Sequence, residues 1–287
     1  MQLVNIMAYT KRLDGRKSFT ELRPIEAKAG IIKSAHGSAM FRIGKTIAYA
    51  AVYGPRELHP KFMQDPKTGI LRCHYNMMPF SGSGERIKPG PSRRSKEISL
   101  VTKNALLPVL DLTDYPNAVV DVFIEFPQTD AGSRCAGICA ASIALADAGI
   151  PMKDLVAAVS VGRVDDKIAL DLDYQEEAYE DGPVADIPVA MLPSTGEITL
   201  LQMDGEISKE MLMKAIQEVR KAVGQIYEVQ KKALKEKYAS NAPIADVESD
   251  IVDTGVATAG TAGNTSGASG APQAPDLEAL DRELDEN

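Results

Sequence analysis

The segment "TDAGSRCAGICAASIALADAG", residues 129–149, restricts the fold more than any other stretch of the chain. Of the nineteen residues from Ala131 to Gly149, fourteen are Gly, Ala, Ser or Cys, and Pro151 follows just beyond. The pattern predicts a helix stopped by Gly149. Side chains this small let a helix backbone approach a sheet or another helix closely, and close packing accounts for every position after Arg134. It does not account for Gly132-Ser133-Arg134. A Gly-Ser turn at a helix start leaves backbone N–H groups pointing outward, and the Ser133 hydroxyl joins them in an anion site. The plain alternative is that Ser133 is an ordinary N-cap.

Around this helix the chain reads as strands followed by helices, twice. "GSAMFRIG" and "KTIAYAAVYGP" are two strands joined by a tight turn at Gly44-Lys45, and "LRCHYNMMPF" and "AVVDVFIEF" add two more. Between the latter pair, a loop rich in Gly, Pro and Arg leads into a helix through "ISLVTKNALLPVL", with Ile98, Val101 and Ala105 on one side. The second half places strands "LVAAVSVGRV" and "KIALDLD" around an Asp165-Asp166 turn, then "IPVAMLP" and "EITLLQMDG". Ser208 caps a long helix from Lys209 to about Tyr238, with Met211, Ile216, Val219, Val223 and Ile226 as its core stripe. The expectation is an α+β fold of two βα layers in one unit over residues 1–240, its halves running about 12–151 and 152–240.

Residues 241–287 differ in kind. They are Ala/Gly/Ser-rich, without periodicity, and are expected to be a disordered acidic tail whose last stretch, "DLEALDRELDEN", forms at most a transient helix. The tail holds ten acidic residues and one basic, so most of the net charge of −8 belongs to it. The body carries 31 basic and 30 acidic side chains and remains open to a nucleic-acid partner despite the low pI. No run of eighteen apolar residues marks a membrane span, and the first residues make a poor signal peptide. Cys73, Cys135 and Cys139 are expected to be packing residues in a reducing, cytoplasmic setting.

Two further clusters suggest chemistry. In "KPGPSRRSKE", Arg93 and Arg94 stand at a helix start, where the helix dipole opposes cations, so function explains them better than local stability does. Arg86 and Lys88 extend this basic loop in the manner of a segment that tracks a nucleic-acid backbone. The third cluster is acidic: Asp171, Asp173, Glu176, Glu177, Glu180, Asp181 and Asp186. Much of it reads as a solvated loop, but Asp186 directly precedes an apolar strand and suits Mg²⁺ or a general acid. The chain contains no P-loop, no dinucleotide-binding glycine motif and no GxSxG elbow, and His36, His59 and His74 lack metal-ligand spacing. A reaction that needs no protein nucleophile is expected.

In order along the chain, "RLDGR" (12–16), "AVYGP" (51–55), "PSRR" (91–94), "TDAGSR" (129–134), "LADAGIPM" (145–152) and "ADIPVAM" (185–191) resemble the RNase PH family, nearest to the catalytic ring subunits of archaeal exosomes. The resemblance runs from Arg12 to Tyr238. It implies a fold like domain 2 of ribosomal protein S5 and phosphorolytic 3′→5′ degradation of RNA, with inorganic phosphate as co-substrate and Mg²⁺ as cofactor. It further implies a six-membered ring, a trimer of heterodimers with an inactive RNase PH-like sister subunit, under RNA-binding caps. Gly132, Ser133 and Arg134 would then hold phosphate, Arg93 and Arg94 the terminal RNA phosphates, with Arg86 and Lys61 also touching RNA. Asp186 would act as acid or metal ligand beside a second acid. Counting forward from "LDLD" gives Glu177 for that acid, and counting back from Asp186 gives Asp181 or Glu180; Glu177 is preferred. The alternatives are an inactive, RNA-threading ring subunit and a stand-alone tRNA-trimming enzyme of the same family.

Overall fold

The structure, a computed structural model, describes residues 9–83 and 86–240, and the expectations for the acidic tail lie outside these residues. A first sheet of five strands runs in the order β1 (Ile25–Ala29), β2 (Gly37–Ile43), β3 (Thr46–Glu57), β5 (Ala118–Gln128), β4 (Ile70–Met77). Its pairings are antiparallel except β4 with β5, which are parallel. Parallel neighbours need a crossover, and helix α1 (Arg93–Leu106) lies within it. The second sheet runs β10 (Asp204–Gly205), β8 (Val184–Met191), β6 (Ala157–Val164), β7 (Lys167–Leu170), with β9 (Ile198–Leu201) also on β8. Helices α2 (Ser133–Asp147), α3 (Tyr174–Glu177) and α4 (Lys209–Ser240) complete the unit.

The small-residue helix α2 lies between the sheets. It packs on β2, β3 and β5 of the first and on β6 and β8 of the second. Thirteen of its fifteen residues are buried, so it has no polar face to separate from an apolar one. A Cβ added at Gly37 of β2 would lie 2.2 Å from the Ala148 backbone nitrogen, and one at Gly137 would lie 3.2 Å from the Phe126 ring. Nothing larger than hydrogen fits at Gly37, which is why strand and helix can touch through their backbones. All three cysteines are free and buried, and Cys139 Sγ accepts the Ala158 amide at 3.2 Å.

Helix α4 lies over β6, β7 and β1, and so spans both sheets. Val219, Val223 and Ile226 of its expected stripe are buried, while Met211 and Ile216 are half-buried. Buried Gln230 lies on the same helix, its side-chain amide donating to the Val156 carbonyl at 3.0 Å. One continuous apolar core links the two halves.

The strands depart from the sequence expectations at β1, at β7 and in "EITLLQMDG", which divides into β9 and β10. β1 forms as a fifth strand of the first sheet, half-buried along most of its length. The strand read as "KIALDLD" ends at Leu170, because Asp171 takes a left-handed conformation (φ 53°) and turns its carboxylate inward. There it accepts Arg23 Nε at 2.9 Å and Nη2 at 2.6 Å.

Candidate functional site

A cleft of about 540 Å³ opens where the first turns of α1 and α2 face α3, β8 and β10. Arg94, Gly132, Ser133, Arg134, Glu177 and Asp186 all line it. Residues from four separate stretches of the sequence thus meet at one end of the central helix.

The α2 start is a strained turn held from outside. Ala131 and Gly132 are both left-handed (φ 57° and 63°), a costly conformation for alanine. Thr46 Oγ1 pins the turn by donating to the Ala131 carbonyl and accepting the Asp130 amide, each at 2.8 Å, and Arg23 donates to the Asp130 carbonyl. Gly132, and not Ser133, is the N-cap, and it offers no side-chain cap. The first-turn amides are therefore left for a ligand or water. Ser133 begins the helix proper, and its Oγ accepts the Tyr75 hydroxyl at 2.8 Å.

Next in the chain, Arg134 is about three-quarters buried, with one Nη 3.6 Å from Glu97 of α1. Its Nε is buried with no hydrogen-bond partner among the described residues. Arg94 reaches the cleft from the α1 start, which Ser92 and Ser95 cap reciprocally at 2.8 and 3.0 Å. That capping box offsets the unfavourable placing of two cations at a helix N-terminus. Arg93, Arg86 and Lys61 are exposed and do not line the cleft.

The acidic stretch is not the solvated loop that its composition suggests, since Asp171, Asp173 and Glu176 are all buried. Asp173 caps α3 in a reciprocal box with Glu176. Glu176 is clamped by Arg12 through Nε at 2.7 Å and Nη2 at 2.6 Å, and by the Tyr9 hydroxyl. Arg12 and Arg16 of "RLDGR" also donate to the carbonyls of Leu170 and Asp171. Charges buried this deeply are tolerable only when paired, and here pairing ties α3 to the N-terminal segment. The outcome is that Glu177, the next residue, faces the cleft.

Glu177 is pushed up to about 7, first by burial and then by the charge of Asp186; the Gly132 amide and the Arg23 and Arg94 cations only partly oppose this. Asp186 is also raised, first by burial and further by Asp204, against the Ser160 hydroxyl and Arg134. Its Oδ1 is buried without a partner in hydrogen-bonding geometry. Asp181 is exposed and outside the cleft, because the chain leaves the site after α3 and returns only at β8. Of the acids considered as partner to Asp186, the structure therefore brings Glu177 to it. Asp204, which sequence reasoning missed, lies opposite Asp186 in the β8–β10 register and lines the same cleft. Its only local signal is the Asp-Gly pair, with Gly205 at φ 98°. Cys135 contributes to the wall, but burial pushes its thiol far up, so it is a neutral packing group and not a nucleophile.

Residues 21–151 match domain 1 of the 3′ exoribonuclease family RNase PH, and residues 154–218 match domain 2. The exosome complex component Rrp41 of Pyrococcus furiosus is 55% identical over 228 residues, covering 79% of this chain and 89% of the relative. Rrp41 of Methanopyrus kandleri is 50% identical over 230 residues, covering 80% and 94%. The crystal structure of rice (Oryza sativa) Rrp46 matches with a TM-score of 0.69 at 26% identity, over 78% of this chain and 100% of that one.

Proposed function

Because the chain belongs to the RNase PH family of 3′ exoribonucleases, we propose that it is the catalytic subunit of an archaeal-type exosome ring and shortens RNA by phosphorolysis. Inorganic phosphate attacks the terminal phosphodiester and a nucleoside 5′-diphosphate leaves. The reading rests on one arrangement: two cations, an uncapped helix start and two carboxylates of raised pKa share a cleft whose only thiol is inert.

The electrostatics favour this assignment. Attack of one anion on another costs roughly 4 kcal/mol per pair of unit charges at about 4 Å and an effective dielectric of about 20. A helix terminus returns about 0.3–1 kcal/mol, so full charges are required as well. Arg134 supplies one, with a fork that matches two phosphate oxygens beside Ser133 and the α2 amides. Arg94 supplies the other toward the RNA end. Arg93, Arg86 and Lys61 then belong to the RNA path outside the cleft. Glu177 and Asp186 stand ready to protonate the departing 3′ oxygen or to hold a metal.

Mg²⁺ fits this donor set. Among the described residues no group of three potential ligands is clustered in metal-binding geometry. Mg²⁺ is commonly held by one or two carboxylates with substrate phosphates and water completing the shell, and Asp186 with its unpartnered Oδ1 and Glu177 provide those two. When bound, the ion would neutralise charge developing on the phosphate oxygens.

The partners in this reading are RNA, an inactive RNase PH-like sister subunit alternating in a hexameric ring, and RNA-binding caps. No helix among the described residues is long and apolar enough to cross a membrane. The test is the ring assembled with its sister subunit on a 3′ oligoadenylate, with and without phosphate. Phosphate-dependent release of ADP is expected, whereas shortening indifferent to phosphate would overturn the reading.

Glu177 adds a pH dependence. As a general acid it must carry its proton, so kcat should fall as pH rises through about 7. Its raised pKa also means that the folded state holds the proton more firmly than the unfolded chain, so this contribution to stability is complete at low pH and lost through about 7. Glu177→Gln should therefore flatten the alkaline limb of the residual activity. The same change should raise Tm relative to wild type at pH 8 but not at pH 5. An alkaline limb that survives the substitution assigns the titration to another group.

A further inference from the structure

Tyr75 lies between the two helix starts that build the cleft. It belongs to β4, is 4% exposed, and its ring tilts against Phe126 with centroids 4.9 Å apart. Its backbone amide donates to Ser99 Oγ at 2.9 Å, and that hydroxyl donates to the Ser95 carbonyl at 2.6 Å in the first turn of α1. Its own hydroxyl donates to Ser133 Oγ at 2.8 Å, in the first turn of α2. One residue thus joins the two turns, reaching the one that carries Arg94 through its backbone amide and the one that carries Arg134 through its hydroxyl.

The direction of the second bond has a chemical consequence. A phenol is a stronger donor than an aliphatic alcohol, and because burial pushes the Tyr75 hydroxyl above its ordinary range it keeps its proton throughout the working range. A hydroxyl has one proton and two lone pairs. Ser133 spends a lone pair on Tyr75 and has no acceptor for its own proton among the described residues, leaving that proton to be directed into the cleft.

The geometry points to Tyr75 as a positioning residue that holds Ser133 as an obligate hydrogen-bond donor, aimed at an unprotonated oxygen of the attacking phosphate. This rests on the phosphorolytic reading. Without the phenol, the Ser133 hydroxyl is no longer fixed from behind and can rotate, and the phosphate loses an oriented donor. The RNA end, which meets Arg94, loses nothing directly.

The experiment is steady-state kinetics of the assembled ring on a 3′ oligoadenylate, varying phosphate and RNA separately. It compares wild type, Tyr75→Phe, Ser133→Ala and the double variant. Tyr75→Phe keeps the tilted ring contact with Phe126, and gel filtration checks that assembly is intact. The phosphate KM should rise about three- to tenfold, the scale of one oriented hydrogen bond. The RNA KM should change less than about twofold, and Tyr75→Phe should add nothing in the Ser133→Ala background. The inference is overturned by an unchanged phosphate KM, by both KM values rising together, or by the full Tyr75→Phe effect persisting without Ser133. Direct titration of inorganic phosphate by ³¹P NMR separates the two levels of the claim. Weaker phosphate binding by Tyr75→Phe supports the positioning role, and unaltered binding removes it. A wild-type ring that turns over without phosphate refutes the phosphorolytic reading alone.

Discussion

Asp186→Ala is expected to lower phosphorolytic kcat about 10²–10⁴-fold, the usual span for loss of a positioned acid or base. The side chain stands on β8 between Glu177 and Asp204, its Oδ1 buried and unpartnered, which is a poor arrangement for stability and a good one for a group awaiting substrate or metal. Asp186→Asn separates shape from charge: if Asn is as damaging as Ala, the proton or the metal bond is what matters. Removing a partly buried carboxylate of raised pKa should not weaken the fold, so ring assembly and RNA retention on a native gel should match wild type. Single-turnover decay of a labelled oligoadenylate is the measurement. Undiminished decay would favour a subunit that only threads RNA.

Arg134→Ala should reduce kcat/KM for phosphate about 10²–10³-fold, as removal of one preorganised oxyanion donor does elsewhere. The position has the features of a dedicated anion ligand: a mostly buried guanidinium, an unsatisfied Nε, and only a long contact to Glu97. Arg134→Lys should recover part of the loss, since it restores the charge without the two-pronged fork. Arg93→Ala provides the contrast. That side chain is exposed and outside the cleft, so its effect should stay below about tenfold, appear mainly in the RNA KM and weaken with added salt. Equal losses at the two arginines would contradict the division between phosphate and RNA subsites.

Much of the architecture was legible in the chain because its signals are local. The Gly44-Lys45 hairpin, the start of α1, the Ser208 cap of α4 and the stop at Gly149 each depend on a few adjacent residues. What was hidden depends on partners far away in sequence. The acidic stretch looked solvated because its cations, Arg12, Arg16 and Arg23, lie some 150 residues earlier. The same distance conceals why "KIALDLD" stops short as a strand: Asp171 turns left-handed with its carboxylate on Arg23. In the site, the cations set against the helix dipole point to Arg93 and Arg94, of which only Arg94 lines the cleft, while the Gly-Ser helix start marks Arg134 and the apolar strand that follows marks Asp186. Counting does not separate Glu177 from Asp181, since the clamp of Arg12 and Tyr9 on Glu176 comes from far away in sequence. Asp204 escaped because an Asp-Gly pair ordinarily means a turn and nothing more.

The lodging of α2 between two sheets bears on how such a cleft can evolve. A helix with one solvent face can absorb a new side chain by rolling, but this one is walled on opposite flanks. Along most of its length, only near-equal volumes can be exchanged without shifting the rod end to end and dragging its arginine with it. Room for adaptive drift is therefore displaced to the exposed basic loop before α1, where altered RNA tastes can arise without disturbing the anion seat.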